Sequence, residues 1–97
     1  AGVKCSEVDF ACRNIITKNG YGDLFTHSTG HGLGLEVHTL PRIHKTNHAL
    51  LEQNNVITIE PGIYVPNWGG VRIEDDCLIT LDGCIPLNKS TKELIII

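Results

Sequence analysis

Apolar residues recur near the start of the chain at helical spacing: Val8, Ala11, Cys12, Ile15 and Ile16. The i, i+3, i+4, i+7, i+8 pattern sets them on one face of a helix. Gly20 follows as a C-cap glycine would. Ser6 with Asp9 resembles a capping box in which Asp replaces the usual Glu. The pattern predicts an amphipathic helix over residues 7–19, packed by one face. Residues 20–34 hold five glycines and little periodicity, so they read as loop. Leu35 to Val37 reads as the start of a strand. Residues 41–48 are irregular, and Ala49 to Gln53 is at most a short helical turn, broken by Asn54-Asn55.

From Val56 the period changes to that of a strand. VITIEPGIYV reads as a strand interrupted at Pro61-Gly62, with a bulge expected there. PNWGG turns the chain, and VRIEDDCLIT returns it. Asp82-Gly83 is a two-residue turn signal for a further hairpin. The apolar tail LIII is expected to be a last strand. The fold class is therefore α+β, one main N-terminal helix followed by an antiparallel sheet, within a single domain.

The long hairpin carries carboxylates where a sheet should be apolar. A turn over Pro66–Gly70 would pair Val65 with Val71. Glu60 then lies opposite Asp76, Glu74 opposite Gly62, and the two glutamates become diagonal neighbours on one face. Arg72 shares that face with Glu74 by alternation. Two facing carboxylates persist where a proton, a cation or a metal sits between them. The plain alternative is a solvated sheet face with Arg72 as ion-pair partner.

Three of the five histidines, His27, His31 and His38, fall within HSTGHGLGLEVH. The glycines between them rule out a shared helix face, and the H-E-x-x-H zinc helix is absent. Glycine allows backbone to approach a ligand closely. Oxygen donors favour Mg, Ca or Mn, and added imidazole admits Co, Fe or Zn. His44 and His48 sit in a polar segment and read as surface residues. No G-x-S-x-G elbow surrounds a serine, which leaves a serine hydrolase unsupported.

Bulk properties narrow the classes further. The chain has 97 residues, a net charge of −3 and 41% hydrophobic residues. This charge makes no case for nucleic acid or an anionic membrane as partner. No apolar run approaches membrane-span length, and AGVKCSEVDF has no signal-peptide core. Cys5, Cys12, Cys77 and Cys84 lack zinc-site spacing, so free thiols in a reducing cytoplasm are expected.

HSTGHGLGLEVH, TIEPGIY and GGVRIED, in this order, resemble the C-terminal half of the "pita-bread" metallopeptidases, which include methionine aminopeptidase, aminopeptidase P and prolidase. The form of the first motif and the GGVRIEDDCLIT…LNKSTKELIII ending are most similar to the Xaa-Pro dipeptidase and aminopeptidase branch. The resemblance covers nearly the whole chain. It implies a partial catalytic domain over residues 1–97, with a curved antiparallel sheet. By the resemblance, His31 is a metal ligand, Glu60 a carboxylate ligand that also handles a proton, and Glu74 the carboxylate bridging two metals. His38 is implied to stabilise the tetrahedral intermediate, His27 to be a further catalytic-site histidine, and Arg72 to lie near the metals. The implied cofactors are two divalent ions, Mn or Co, with Zn or Fe as alternatives. The implied substrate is a peptide or dipeptide with proline after the cleaved bond.

The family site has five protein ligands, and two are aspartates on an earlier hairpin that no segment here supplies. Asp9 is placed on the helix and Asp23 in the loop. The expectation is thus a C-terminal fragment that binds at most one ion, weakly, with little or no activity alone. Thr39 departs from the Glu that commonly follows the histidine, touching an outer-shell contact. An open sheet edge and an uncovered apolar face predict self-association into a homo-oligomer. Competing readings are a metal-free protein-interaction module, a methionine aminopeptidase and a metal-independent creatine-hydrolase-like enzyme. The retained His31, Glu60 and Glu74 weigh against the first and last.

Overall fold

The computed structural model describes all 97 residues. Helix α1 spans Cys5–Lys18, and a single 3-10 turn covers Gly22–Leu24. Seven strands follow: β1 Gly30–Gly32, β2 Thr39–Ile43, β3 Val56–Ile59, β4 Gly62–Val65, β5 Gly69–Arg72, β6 Asp75–Ile79 and β7 Cys84–Pro86. Five of them form an antiparallel sheet in the order β2-β1-β3-β6-β7, and β4 pairs with β5 in a separate ribbon. The α+β class and the antiparallel sheet match the expectation.

Helix α1 begins two residues earlier than its apolar period suggests, and the cap differs. The carboxylate of Glu7, not of Asp9, accepts from the Lys4 backbone N–H at 2.8 Å. Ser6 instead places its hydroxyl 3.3 Å from Nδ1 of His48. Gly20 takes the left-handed φ of +86° just beyond the helix, as a residue after a C-cap does. The apolar face is only partly covered: Val8 packs against the core and Cys12 and Ile16 are half-buried, but Ile15 is 64% exposed, whereas Cys5 and Asp9 are fully buried. A polar carboxylate thus sits at the centre of the contact face, and the helical period alone does not reveal it.

The loop read over residues 20–34 contains β1, whose glycines sit within the sheet. Leu35 to Val37 forms bends, and the strand lies instead at Thr39–Ile43 in the stretch read as irregular. Ala49 to Gln53 makes no helical turn; Leu50 forms an isolated bridge with Lys4. The last hairpin pairs Ile79 with Cys84, so Asp82-Gly83 belongs to a four-residue loop closed by Thr80 N–H donating to Gly83 O at 2.9 Å. The tail Leu94–Ile97 is exposed and forms no strand. It is apolar without a partner strand, and period alone does not supply one.

The core is small: Cys5, Ile43, Leu51, Ile57, Cys77 and Ile79, with Ala1, Val8 and Ile59 against it. Only 13 of 97 residues are buried, and the accessible surface is 7006 Å². A folded monomer of this mass exposes about 5,500 Å². The excess is comparable to the area of a protein interface.

Candidate functional site

The hairpin that carries the glutamates has one register throughout. Ile59 pairs with Asp75 in the large sheet, and Gly62 pairs with Arg72 in the small one. Continuing either ladder sets Glu60 opposite Glu74. The expected pairing of Glu60 with Asp76 and of Glu74 with Gly62 is thereby corrected by two residues, because the turn is tighter: Val65 pairs with Gly69, with Asn67 at φ 61° within it. No bulge shifts this register. The ladder breaks at Pro61, which has no N–H to donate, and the hairpin passes from one sheet to the other around Glu60 and Glu74. The shared face of Glu60 and Arg72 stands: Nε of Arg72 is 3.8 Å from Oε2 of Glu60.

Strand β1 brings the histidine to the glutamate. Gly30 lies so close to β3 that an added Cβ would sit 2.6 Å from the Thr58 carbonyl carbon, and closer still to its oxygen. The glycine is required by close approach of backbones rather than by a turn. His31 N–H donates to Thr58 Oγ1 at 3.0 Å, and Thr58 Oγ1–H donates to Oε1 of Glu60 at 2.8 Å. Nε2 of His31 then faces Oε1 of Glu60 at 3.1 Å, both side chains mostly buried. His31 Nδ1 lies 2.9 Å from the Gly32 carbonyl. That carbonyl accepts only, so Nδ1 carries the hydrogen and a neutral ring turns a lone pair toward the carboxylate. Two acceptors at that distance need a proton or a cation between them.

Tyr64 joins the remaining groups and was not singled out from the sequence. Its hydroxyl lies 2.8 Å from Nε2 of His27 and accepts from Nε of Arg72 at 2.8 Å. His27 Nδ1 is 2.7 Å from the Ser28 carbonyl, so by the same logic Nε2 accepts and Tyr64 O–H donates. The hydrogen bond to Tyr64, with further help from the Glu60 and Glu74 charges, raises the Arg72 pKa above its ordinary value. The ring rests on two glycines. An added Cβ on Gly62 would fall 2.5 Å from the Tyr64 hydroxyl, and one on Gly70 would fall 2.7 Å from its ring. Alternation was the available signal: residues 60, 62 and 64 share one face.

His38 is exposed, in the bend-rich segment after β1, with its ring centroid 4.6 Å from that of His31 and edge-on to it. Both line an open cavity of about 740 Å³ with Ser28, Glu36, Thr39, Leu40 and Arg42. Glu74 is exposed and lines a different cavity of about 590 Å³, together with Arg72, Asp75 and the C-terminal segment. No three His, Cys, Asp or Glu side chains gather as a metal-binding group. The structure therefore brings His27, His31, His38, Glu60 and Arg72 into one neighbourhood and sets Glu74 at its border. The fit to a divalent ion is good for His31 and Glu60: an imidazole lone pair and a carboxylate converge, and the Gly32 carbonyl fixes the ring from behind. His48 is exposed and His44 partly so, outside this group.

The model of metallopeptidase family M24 matches residues 1–81. A Xaa-Pro dipeptidase of Pyrococcus horikoshii is 53% identical over 94 residues, 97% of this chain and 27% of that protein. Among solved structures, a Xaa-Pro dipeptidase from Bacillus anthracis matches with TM-score 0.97 and 49% identity, over all of this chain and 27% of that one. A prolidase from Pyrococcus furiosus matches with TM-score 0.91 and 52% identity, over 94% of this chain and 27% of that one. The chain spans about a quarter of the length of the curated relatives it matches. No helix is long and apolar enough to cross a membrane.

Proposed function

This chain belongs to metallopeptidase family M24, and from that premise we propose that it is the C-terminal part of a catalytic domain that cleaves the peptide bond before proline. The observation that carries the proposal is the facing of His31 Nε2 and Glu60 Oε1 at 3.1 Å, backed by the hydrogen-bonded series Arg72–Tyr64–His27. His31, Glu60 and Glu74 are the proposed ligands, with further ligands from outside these residues. Bound divalent ions, Mn or Co before Zn or Fe, supply an acidified water and polarise the scissile carbonyl.

The chain's own residues do the rest. Glu60 accepts the proton of the attacking water, with Thr58 Oγ1 holding one of its oxygens and Arg72 near the other. His38, at the open cavity, donates to the developing negative oxygen of the substrate. His27 binds the substrate side of the site, its ring held by Tyr64 and the Ser28 carbonyl. The substrate is a peptide or dipeptide with proline after the cleaved bond. The four free cysteines support a cytoplasmic location. The surplus accessible surface supports self-association of the 97 residues by themselves.

The test uses the whole protein that carries this chain, stripped of metal with a chelator and assayed on Xaa-Pro dipeptides. Hydrolysis should return with Mn or Co and be lost in Glu60→Gln. Metal-independent hydrolysis, or full activity in Glu60→Gln, would contradict the reading.

A further inference from the structure

Helix α1 turns a charged pair, rather than its apolar side, toward the segment that carries His27. Asp9 is fully buried. Arg13 grips it through two bonds, Nε to Oδ2 at 2.8 Å and Nη2 to Oδ1 at 2.9 Å. The remaining reach of both side chains goes to residues 25–29. Arg13 Nη1 donates to the Phe25 carbonyl at 2.8 Å and Nη2 to the His27 carbonyl at 3.0 Å. Asp9 Oδ1 accepts from the Thr29 hydroxyl at 2.9 Å and from Thr29 N–H at 3.3 Å. The guanidinium also lies 4.1 Å from the centroid of the Phe25 ring, whose edge in turn meets the His27 ring at 5.2 Å. Thr29 passes the constraint onward, because its carbonyl accepts from Glu60 N–H at 2.7 Å.

A buried ion pair is weak support for stability, since desolvation offsets most of its attraction. This one makes four bonds to a five-residue stretch outside helix and strand, whose backbone is otherwise tied at its ends, Phe25 N–H to the Gly22 carbonyl at 3.3 Å and Thr29 N–H to the Ile43 carbonyl at 3.0 Å. We propose that Asp9 and Arg13 are positioning residues: together they clamp residues 25–29 so that His27 presents Nε2 to Tyr64 and Glu60 stays beside His31. The proposal rests on the peptidase reading of this site for its catalytic consequence, but its geometric content does not. Neither residue touches substrate, and the clamp acts through the backbone carbonyls of Phe25 and His27 and through Thr29. Planarity is what the clamp uses. An arginine fork can meet a carboxylate and two carbonyls at once, whereas a lysine ammonium of equal charge cannot.

Arg13→Lys in the whole protein is the test. Melting temperature and Mn content report folding and metal site; kcat and KM on a Xaa-Pro dipeptide report function. The ring ¹⁵N spectrum of His27 reports its tautomer, with or without activity. The expected result is a folded, Mn-loaded variant with kcat lowered roughly tenfold to a hundredfold, the scale of a small misplacement. KM should stay near the original value, and the His27 spectrum should change from one tautomer to a mixture. A merely structural pair would lower the melting temperature and leave the spectrum and kcat of the folded fraction intact; that result overturns the proposal. Should Arg13→Lys fail to fold, Thr29→Val removes one bond to Asp9 and leaves the ion pair. An unaltered His27 spectrum in that variant overturns the proposal equally. A wild-type protein that does not cleave the dipeptide contradicts the peptidase reading alone, because the spectra still decide whether the clamp exists.

Discussion

Replacing Gly30 by Ala isolates the close approach on which the site depends. The added methyl carbon would meet the Thr58 carbonyl carbon at 2.6 Å and its hydroxyl oxygen at 2.9 Å, where ordinary contact begins at 3.4 Å. These neighbours lie in the middle of a sheet, with Thr58 1% exposed. The Thr58 carbonyl oxygen lies closer still, so relief requires β1 and β3 to part by roughly 1.5 Å, an overpacking strain worth roughly 1–3 kcal/mol. Parting stretches the bonds that cross this seam, His31 N–H to Thr58 Oγ1 and Glu60 N–H to Thr29 O. Their loss adds roughly 0.5–1.5 kcal/mol each. The expected destabilisation is therefore about 2–6 kcal/mol, a large share of the stability of a domain this size. Urea denaturation of the chain, followed by circular dichroism, measures it. A variant within about 0.5 kcal/mol of the original, the range of an indifferent surface change, would refute the claim that close approach dictates glycine here.

Other predictions follow from the same geometry. Gly62→Ala should push the Tyr64 hydroxyl off its bed and cost the whole protein activity with little loss of metal, measured by dipeptide hydrolysis and metal content. Burial raises the pKa of Asp9, but the bonds and charge of Arg13 and the bonds from Thr29 outweigh it, leaving it below the ordinary 3.8. The stability it contributes is thus complete above about pH 5, well clear of the ordinary 3.8, and lost as pH falls through the lowered value. Urea midpoints from pH 7 to pH 2 should show this fall, and Asp9→Asn should flatten it. Burial, with the neighbouring Cys84 and Asp75, pushes the Cys77 thiol from 9.0 up to about 11. Folding should therefore weaken as pH rises from about 9 to 11. At pH 8 a thiol reagent should label exposed Cys84 promptly and buried Cys77 and Cys5 only after unfolding.

The three motifs and their order make the family legible in the sequence, because ligand chemistry restricts which residues can stand at those positions. The face shared by Glu60 and Arg72 followed from alternation, which a register error of two leaves untouched. The register itself did not follow, since it depends on how tightly residues 66–68 turn. The glycines of HSTGHGLG read as loop in the sequence, but Gly30 serves a crowded sheet. Crowding is a property of the facing strand, absent from local pattern. Asp9 was read as part of a helix cap, its partners being Arg13 on the same helix and Thr29 twenty residues away. Tyr64 is not legible in the sequence because one of its two hydrogen bonds reaches His27, 37 positions away. The tail Leu94–Ile97 misled through composition: it is apolar, yet no neighbouring strand pairs with it.

On the proposed reading, these residues supply His31, Glu60 and Glu74 to a metal site completed from elsewhere. Calorimetric titration of Mn into the isolated 97 residues and into the whole protein tests it most directly. The isolated chain should bind at most one ion, weakly, and lose it in Glu60→Gln, while the whole protein should bind two tightly. Two tight sites in the isolated chain, or undiminished binding in Glu60→Gln, would overturn this ligand assignment.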